Sequence, residues 1–241
     1  MTLFSDSERN LHHLDAMGIQ VWVRRASRGE EGKEAAVEQI AANGDSAPVQ
    51  GQEDINALDW EALRARVMNC TRCGLHEKRT QAVFGVGNHA AQWLIIGEAP
   101  GAEEDRQGEP FVGRAGQLLN NMLLAIGLQR EEVYIANIVK CRPPNNREPA
   151  AEEAQTCAPY LARQIALIKP KIILAVGRVA AQNLLGTDRP VGTLRGKRFN
   201  YEQTEIPVIV TYHPAYLLRS PQEKRKTWQD LQAARELFSS Q

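Results

Sequence analysis

Short apolar runs bounded by turn residues alternate along this chain with stretches in which apolar positions recur every three or four residues. The runs are Trp93–Ile96, Val133–Ala136, Ile172–Val176 and Val208–Thr211. Continuous apolar runs of this length predict strands buried on both faces. The helical patterns cover Gly116–Ile126, Ala151–Ile168, Val179–Leu185 and a last stretch from about Pro221 to Phe238. Asp59 is placed to cap a further helix through Met68, with Leu63 and Val67 on one face. Strands alternating with helices predict an α/β fold whose mainly parallel sheet is covered on both faces. In such sheets the loops beyond the strands' carboxyl ends build the site.

Ahead of this core the pattern changes. Residues from about Arg28 to Ala57 are rich in Gly, Glu, Gln, Asn, Asp and Ala and poor in large apolar groups. Such a segment buries too little surface to offset its ordering entropy. It predicts a linker over 28–57 between a short element within 1–27 and a core over 58–241. In that element Leu11, Leu14 and Met17 share a helical face, Gly18 ends it, and Ile19 to Val23 follow as an apolar run. Trp and Leu groups set apart from a core point to a partner site.

Charge sharpens the division. The formal net charge is zero, yet residues 1–58 carry five Lys/Arg against ten Asp/Glu, so the remainder carries five excess positive charges. That is compatible with a polyanionic ligand without demanding one. The first residues lack a basic region followed by an apolar run, and no stretch is apolar enough to span a bilayer. The expectation is a cytoplasmic protein, without a membrane partner, whose thiols stay reduced.

Within that setting the four cysteines carry weight. Cys70 and Cys73 form C-x2-C, and Cys141 and Cys157 form C-x15-C after a long gap. Buried unliganded thiols or two disulfides are the plain alternatives. Reduced thiols in this spacing rank metal ligation above both, with one zinc or one iron–sulfur cluster equally served by four thiolates.

Three strand-end loops are unusual. The first runs from Gly97 to Gly116, rich in Gly, Pro and acid, and feeds a helix whose amino terminus offers N–H groups to an anion. Phe111 lies among its glycines, poorly placed for a deep core and well placed to stack on a planar ligand. The second runs from Asn137 to Arg147 and contains Cys141. The third is His213-Pro214-Ala215-Tyr216-Leu217-Leu218-Arg219, beginning directly at a strand end.

Together these motifs resemble the family 4, iron–sulfur uracil-DNA glycosylases over roughly Leu58 to Phe238. Gly97–Gly101, Pro110-Phe111-Val112-Gly113, Asn137 to Arg147, His213 to Arg219 and all four cysteines occur in the family's order and spacing. The resemblance implies a three-layer α/β/α fold with a four-stranded, mainly parallel sheet. It also implies a [4Fe–4S] cluster on Cys70, Cys73, Cys141 and Cys157, and an enzyme that removes uracil from DNA as a monomer.

Roles then follow for individual residues. A glycosylase draws its base into a pocket. Phe111 would stack on it, Asn137 would read its O4 and N3–H edge, and the Gly97–Ala99 backbone would line the pocket. His213 would donate to O2 as negative charge develops. Ala99 stands where the best-known uracil-DNA glycosylases carry an aspartate, a departure shared by family 4. Glu98 and Asn146 are therefore the candidates for stabilising the sugar cation or orienting water. Leu217 is the expected wedge in the vacated stack. Lys140, Arg142, Arg147, Arg195, Lys197 and Arg219 are candidate phosphate contacts. The competing expectation is a uracil-DNA-binding protein that traps its substrate covalently, as a related branch does with a Gln in this loop and an inserted basic segment. Here the loop reads Gly97-Glu98-Ala99-Pro100-Gly101, and no such insert lies between Gly116 and Asn137. Leu14-Asp15-Ala16-Met17-Gly18-Ile19-Gln20-Val21-Trp22 resembles the amino-terminal peptide of the bacterial clamp-loader psi subunit, which implies docking to a replication clamp-loader component through residues 11–25.

Overall fold

The computed structural model describes residues 52–202 and 204–240. The expected docking element at 11–25 and most of the expected linker lie outside the described residues.

The chain enters through α1 (Gln52–Ala57) and α2 (Trp60–Met68), the latter capped by Asp59, whose Oδ1 accepts from the Ala62 N–H at 2.8 Å. Strand β1 (Val86–Gly87) and β2 (Trp93–Gly97) follow, then α3 (Ala102–Gln107), α4 (Arg114–Ala125) and β3 (Tyr134–Asn137). Helix α5 (Ala151–Ile168) leads to β4 (Ile172–Val176), α6 (Arg178–Leu185) and α7 (Val191–Leu194). The chain closes with β5 (Arg198–Asn200), β6 (Pro207–Thr211), α8 (Pro214–Arg219) and α9 (Lys224–Ser239).

The sheet order is β1-β3-β2-β4-β6-β5. The four apolar runs form the parallel centre, β3-β2-β4-β6, as expected. The sheet nevertheless has six strands, because β1 and β5 pair antiparallel on its two edges. Neither edge strand carries an apolar run: β1 is Val86-Gly87 and β5 is Arg198-Phe199-Asn200. Ladder hydrogen bonding and single apolar anchors, Val86 and the buried Phe199, hold them, and hydrophobic periodicity does not report that.

Alternation within the strands fills two cores. Leu94, Ile96, Ala136, Ile173, Ala175 and Val210 pack on one face with α2, α5 and α6. Trp93, Ile95, Ile135, Leu174, Val176 and Ile209 pack on the other with α4 and α9. The layers are therefore α/β/α.

The linker boundary needs correction. Residues 52–57 form α1, which packs on α5, and Ile55 is 1% exposed within the first core. One large apolar residue in a polar stretch is enough when a groove receives it.

The register fixes where function can gather. Gly97 pairs with Asn137, and Val176 with Thr211, so all four central strands end together. Beyond β3 the chain keeps pairing with β2's loop, through Ile138 N–H to Gly97 O at 3.0 Å and Val139 N–H to Glu98 O at 3.2 Å.

Candidate active site

A cleft of about 840 Å³ opens at these strand ends. It is lined by Glu98, Ala99, Phe111, Asn137, Asn146, Arg147, His213 and Arg219, all singled out from the sequence. Gly97 lies against its floor. A Cβ there would come within 2.5 Å of Asn137 Oδ1 and 2.6 Å of Phe111 Cζ, so only glycine lets those side chains meet.

Asn137 is 2% exposed, and its Oδ1 is buried without a hydrogen-bond partner. A buried acceptor left empty costs on the order of 1–3 kcal/mol, which a ligand's N–H would recover. Phe111 is buried and packs in the second core, against the expectation that it is poorly placed for a deep core. It still lines the cleft, with its ring stacked on His213 at a centroid distance of 5.6 Å. Its backbone sits at φ 55°, a left-handed conformation uncommon outside glycine.

Two side chains hold that conformation. Glu104 Oε1 accepts from the Val112 and Gly113 N–H groups at 3.0 and 3.1 Å, while Oε2 accepts from Gly101 at 3.1 Å. Arg130 donates to the carbonyls of Pro110 and Phe111 at 2.6 and 3.3 Å. Sequence reasoning missed both residues. The signal for Glu104 was present: an acid three positions after Gly101 completes a capping pattern at a helix start.

His213 caps α8, with the Ala215 N–H donating to its Nδ1 at 3.1 Å. That contact makes Nδ1 the acceptor and leaves Nε2–H as the ring's donor. Burial, aided by Arg219, pulls its pKa down to about 4, against Glu104, so the ring is neutral near pH 7. Gly177, at φ 99°, follows β4 and backs this ring; a Cβ there would sit 2.9 Å from His213 Cβ.

Glu98 is half-buried, and burial raises its pKa, with Glu148 adding to the rise and Arg178 opposing it. Arg178 and Glu148 form an ion pair on the same wall. Both were missed; they follow β4 and the Asn137 loop, so a fourth strand-end loop was the available signal. Asn146 stands at φ 54°, and its Oδ1 accepts from Arg142 Nε at 2.7 Å. Arg147 lines the cleft with its guanidinium paired to Glu153 at 2.6 Å.

Five expected DNA contacts lie outside the cleft lining. Leu217 is 1% exposed and packs in the second core, because α8 turns it inward; Tyr216 and Leu218, 36% and 37% exposed, face outward instead. Lys140 is 1% exposed, with Nζ donating to Asn137 O at 3.0 Å and Gln164 Oε1 at 2.6 Å. Arg195 pairs with buried Asp230 at 2.9 Å. Arg142 braces Asn146 rather than lining the cleft. Lys197 also lies outside the cleft lining.

The cysteines occupy a second pocket behind the Asn137 loop. Cys70, Cys73, Cys141 and Cys157 all line it, and none is in a disulfide. Among the described residues the side chains do not close into a ready-made shell of metal ligands. The donor set and its surroundings nonetheless suit anionic sulfur. Arg79 donates to Cys141 Sγ and to Met68 O, each at 2.8 Å, and the Tyr160 hydroxyl donates to Cys70 Sγ at 3.3 Å. Burial pushes the Cys157 thiol up to about 12 and raises that of Cys141, while Lys140 and Arg79 respectively oppose those rises, as a bound metal ion would.

The model of the uracil DNA glycosylase superfamily matches residues 84–232, and the chain belongs to that superfamily. The type-4 uracil-DNA glycosylase of Archaeoglobus fulgidus is 46% identical over 177 residues, covering 71% of this chain and 89% of that protein. The type-4 enzyme of Thermotoga maritima is 42% identical over 184 residues, covering 75% and 95%. A type-5 uracil-DNA glycosylase of Pyrobaculum aerophilum reaches 29% over 186 residues. Within the superfamily the chain groups with the type-4 proteins.

Proposed function

We propose that this protein hydrolyses the N-glycosidic bond of deoxyuridine in DNA, releasing uracil and leaving an abasic site. The observation that carries the reading is the empty, buried Asn137 Oδ1 beside Phe111 in a cleft that also holds His213.

A flipped uracil with its face on Phe111 presents its N3–H to Asn137 Oδ1 and its O4 to the Asn137 amide. Cytosine offers no N3–H and places an amino group where O4 stands, leaving buried polar groups unpaired at about 1–3 kcal/mol each. His213 Nε2–H donates to O2 as the glycosidic bond breaks, stabilising charge on the departing base. Glu98 stabilises the sugar cation or orients water, and the Asn146 amide helps hold that water. Arg147 and Arg219 meet phosphates at the rim. Tyr216 and Leu218 take the place in the stack that Leu217 cannot reach.

The four cysteines hold a [4Fe–4S] cluster when it is bound, and it supplies a rigid anchor behind the Asn137 loop. Residues 11–25 tether the cytoplasmic enzyme to a replication clamp-loader component, raising its local concentration at new DNA.

Purified protein incubated with excess uracil-containing oligonucleotide is expected to release many uracils per chain and to contain about four irons. One stable protein–DNA adduct per chain, with no free uracil, would establish the covalent trap instead.

A further inference from the structure

Lys140 lies between the residue proposed to read the base and a cysteine proposed to hold the cluster. It is among the largest fully buried side chains among the described residues. Burying an ammonium is costly unless opposite charge compensates it. Its two hydrogen-bond acceptors, the Asn137 carbonyl and Gln164 Oε1, are both neutral. Lys140 lines the same pocket as Cys70, Cys73, Cys141 and Cys157. A metal centre held by those cysteines would place its negative charge beside the ammonium.

Its other contact points toward the cleft. The Asn137 side chain reaches the cleft while its carbonyl is held from behind by Nζ at 3.0 Å. Gln164 extends the brace, donating to Phe84 O at 3.0 Å and to the Tyr134 hydroxyl at 3.3 Å. Tyr134 opens the strand that Asn137 ends. The polar chain therefore spans β3 from its start to its base-reading end.

We infer that Lys140 is a positioning residue with two faces, a counter-charge to the iron–sulfur centre and a clamp on the Asn137 peptide that aims its amide at uracil. The inference rests on the iron–sulfur reading above. It makes base recognition depend on the metal centre through one side chain, with no electron transfer required.

The test uses the full-length iron-loaded protein. Iron content and visible absorption of the wild type come first: a colourless wild type fails the iron–sulfur reading itself. Lys140→Met then keeps length and removes charge and donors. Loss of a nearby cation disfavours adding an electron to the cluster, so the midpoint potential should move negative. Single-turnover uracil release should fall roughly 10–100-fold, the usual scale for residues that orient a metal site or its ligands. Affinity for abasic-site DNA should hold. Lys140→Arg, which keeps charge and donors, should restore most of the potential and part of the rate. If Lys140→Met does not fold, Lys140→Leu, which also lacks charge and donors, carries the same measurements. A brown, folded variant with wild-type potential removes the counter-charge role and overturns the inference. A shifted potential with wild-type uracil release removes the link to Asn137 and overturns it equally.

Discussion

The loop after β3 divides two polar regions with opposite habits. On the cleft side, polar groups are buried and left open: Asn137 Oδ1 lacks a partner, and His213 keeps Nε2–H as its donor. On the cysteine side, contacts close inward: Arg79 and Tyr160 donate to sulfur, and Lys140 is bonded on two sides. Open valences carry a cost that a ligand repays in part, so they mark where binding happens. Closed ones hold shape. One short loop from Asn137 to Cys141 belongs to both regions, which lets the rigid side set the aim of the open one.

The sharpest way to break the comparison is to spoil the open side alone. Asn137→Asp removes the amide donor, places negative charge beside O4 and leaves the strand pairing of β3 intact. Uracil release should fall by orders of magnitude while the thermal transition and iron content hold. A rate within a fewfold of wild type would show that Asn137 does not read the base, and the orphaned Oδ1 would lose its meaning.

The next test concerns charge in the cleft. His213→Ala should cost about 2.7–4 kcal/mol of barrier, roughly 10²–10³ in single-turnover rate, with far less effect on DNA affinity. The pH profile separates His213 from Glu98. Histidine titrating at its ordinary 6.5 would bend the acid side there; held at about 4, His213 stays neutral well below that. Glu98 is raised above its ordinary 4.5, so its protonation comes first as pH falls. The acid limb of the wild type is therefore expected from Glu98, and Glu98→Gln should move what limb remains down toward about 4. A limb near 6.5 in both proteins would place the His213 ring in water rather than against Phe111.

Much of this arrangement was readable in the chain. The central strands are legible because their apolar runs are continuous, and the strand-end loops because Gly, Pro and a lone His are informative there. The edge strands were not, since Val86-Gly87 and Arg198-Phe199-Asn200 carry no periodicity of their own. Leu217 and Lys140 misled for one reason: sequence gives residue type, while the direction of a side chain depends on how α8 and the β3 loop pack. A lysine beside a cysteine in a basic loop reads as a phosphate contact until burial shows it facing α5. Glu104 was legible as a capping acid, but Arg130 acts on the carbonyls of Pro110 and Phe111 some twenty residues away, and that coupling leaves no trace in spacing.

The smallest expected effect lies furthest from the cleft and tests where the core begins. Every residue placed in the cleft or the cysteine pocket lies beyond α1, so deleting residues 1–51 should leave uracil release, iron content and Tm near those of the full chain. Deleting residues 1–57 should differ. It removes Ile55, buried against the core that α5 helps build, and full burial of such a side chain contributes about 1.5–3 kcal/mol. It also brings the new terminus beside Leu58, whose carbonyl accepts from Arg163 Nε on α5 at 2.7 Å. Since α5 carries Cys157, loosening there should lower Tm by several degrees and speed iron loss on mild heating, with the uracil-release rate of the iron-loaded protein held. Equal Tm for the two truncations would return residues 52–57 to the linker. Loss of activity in the shorter deletion would instead extend the catalytic unit ahead of α1.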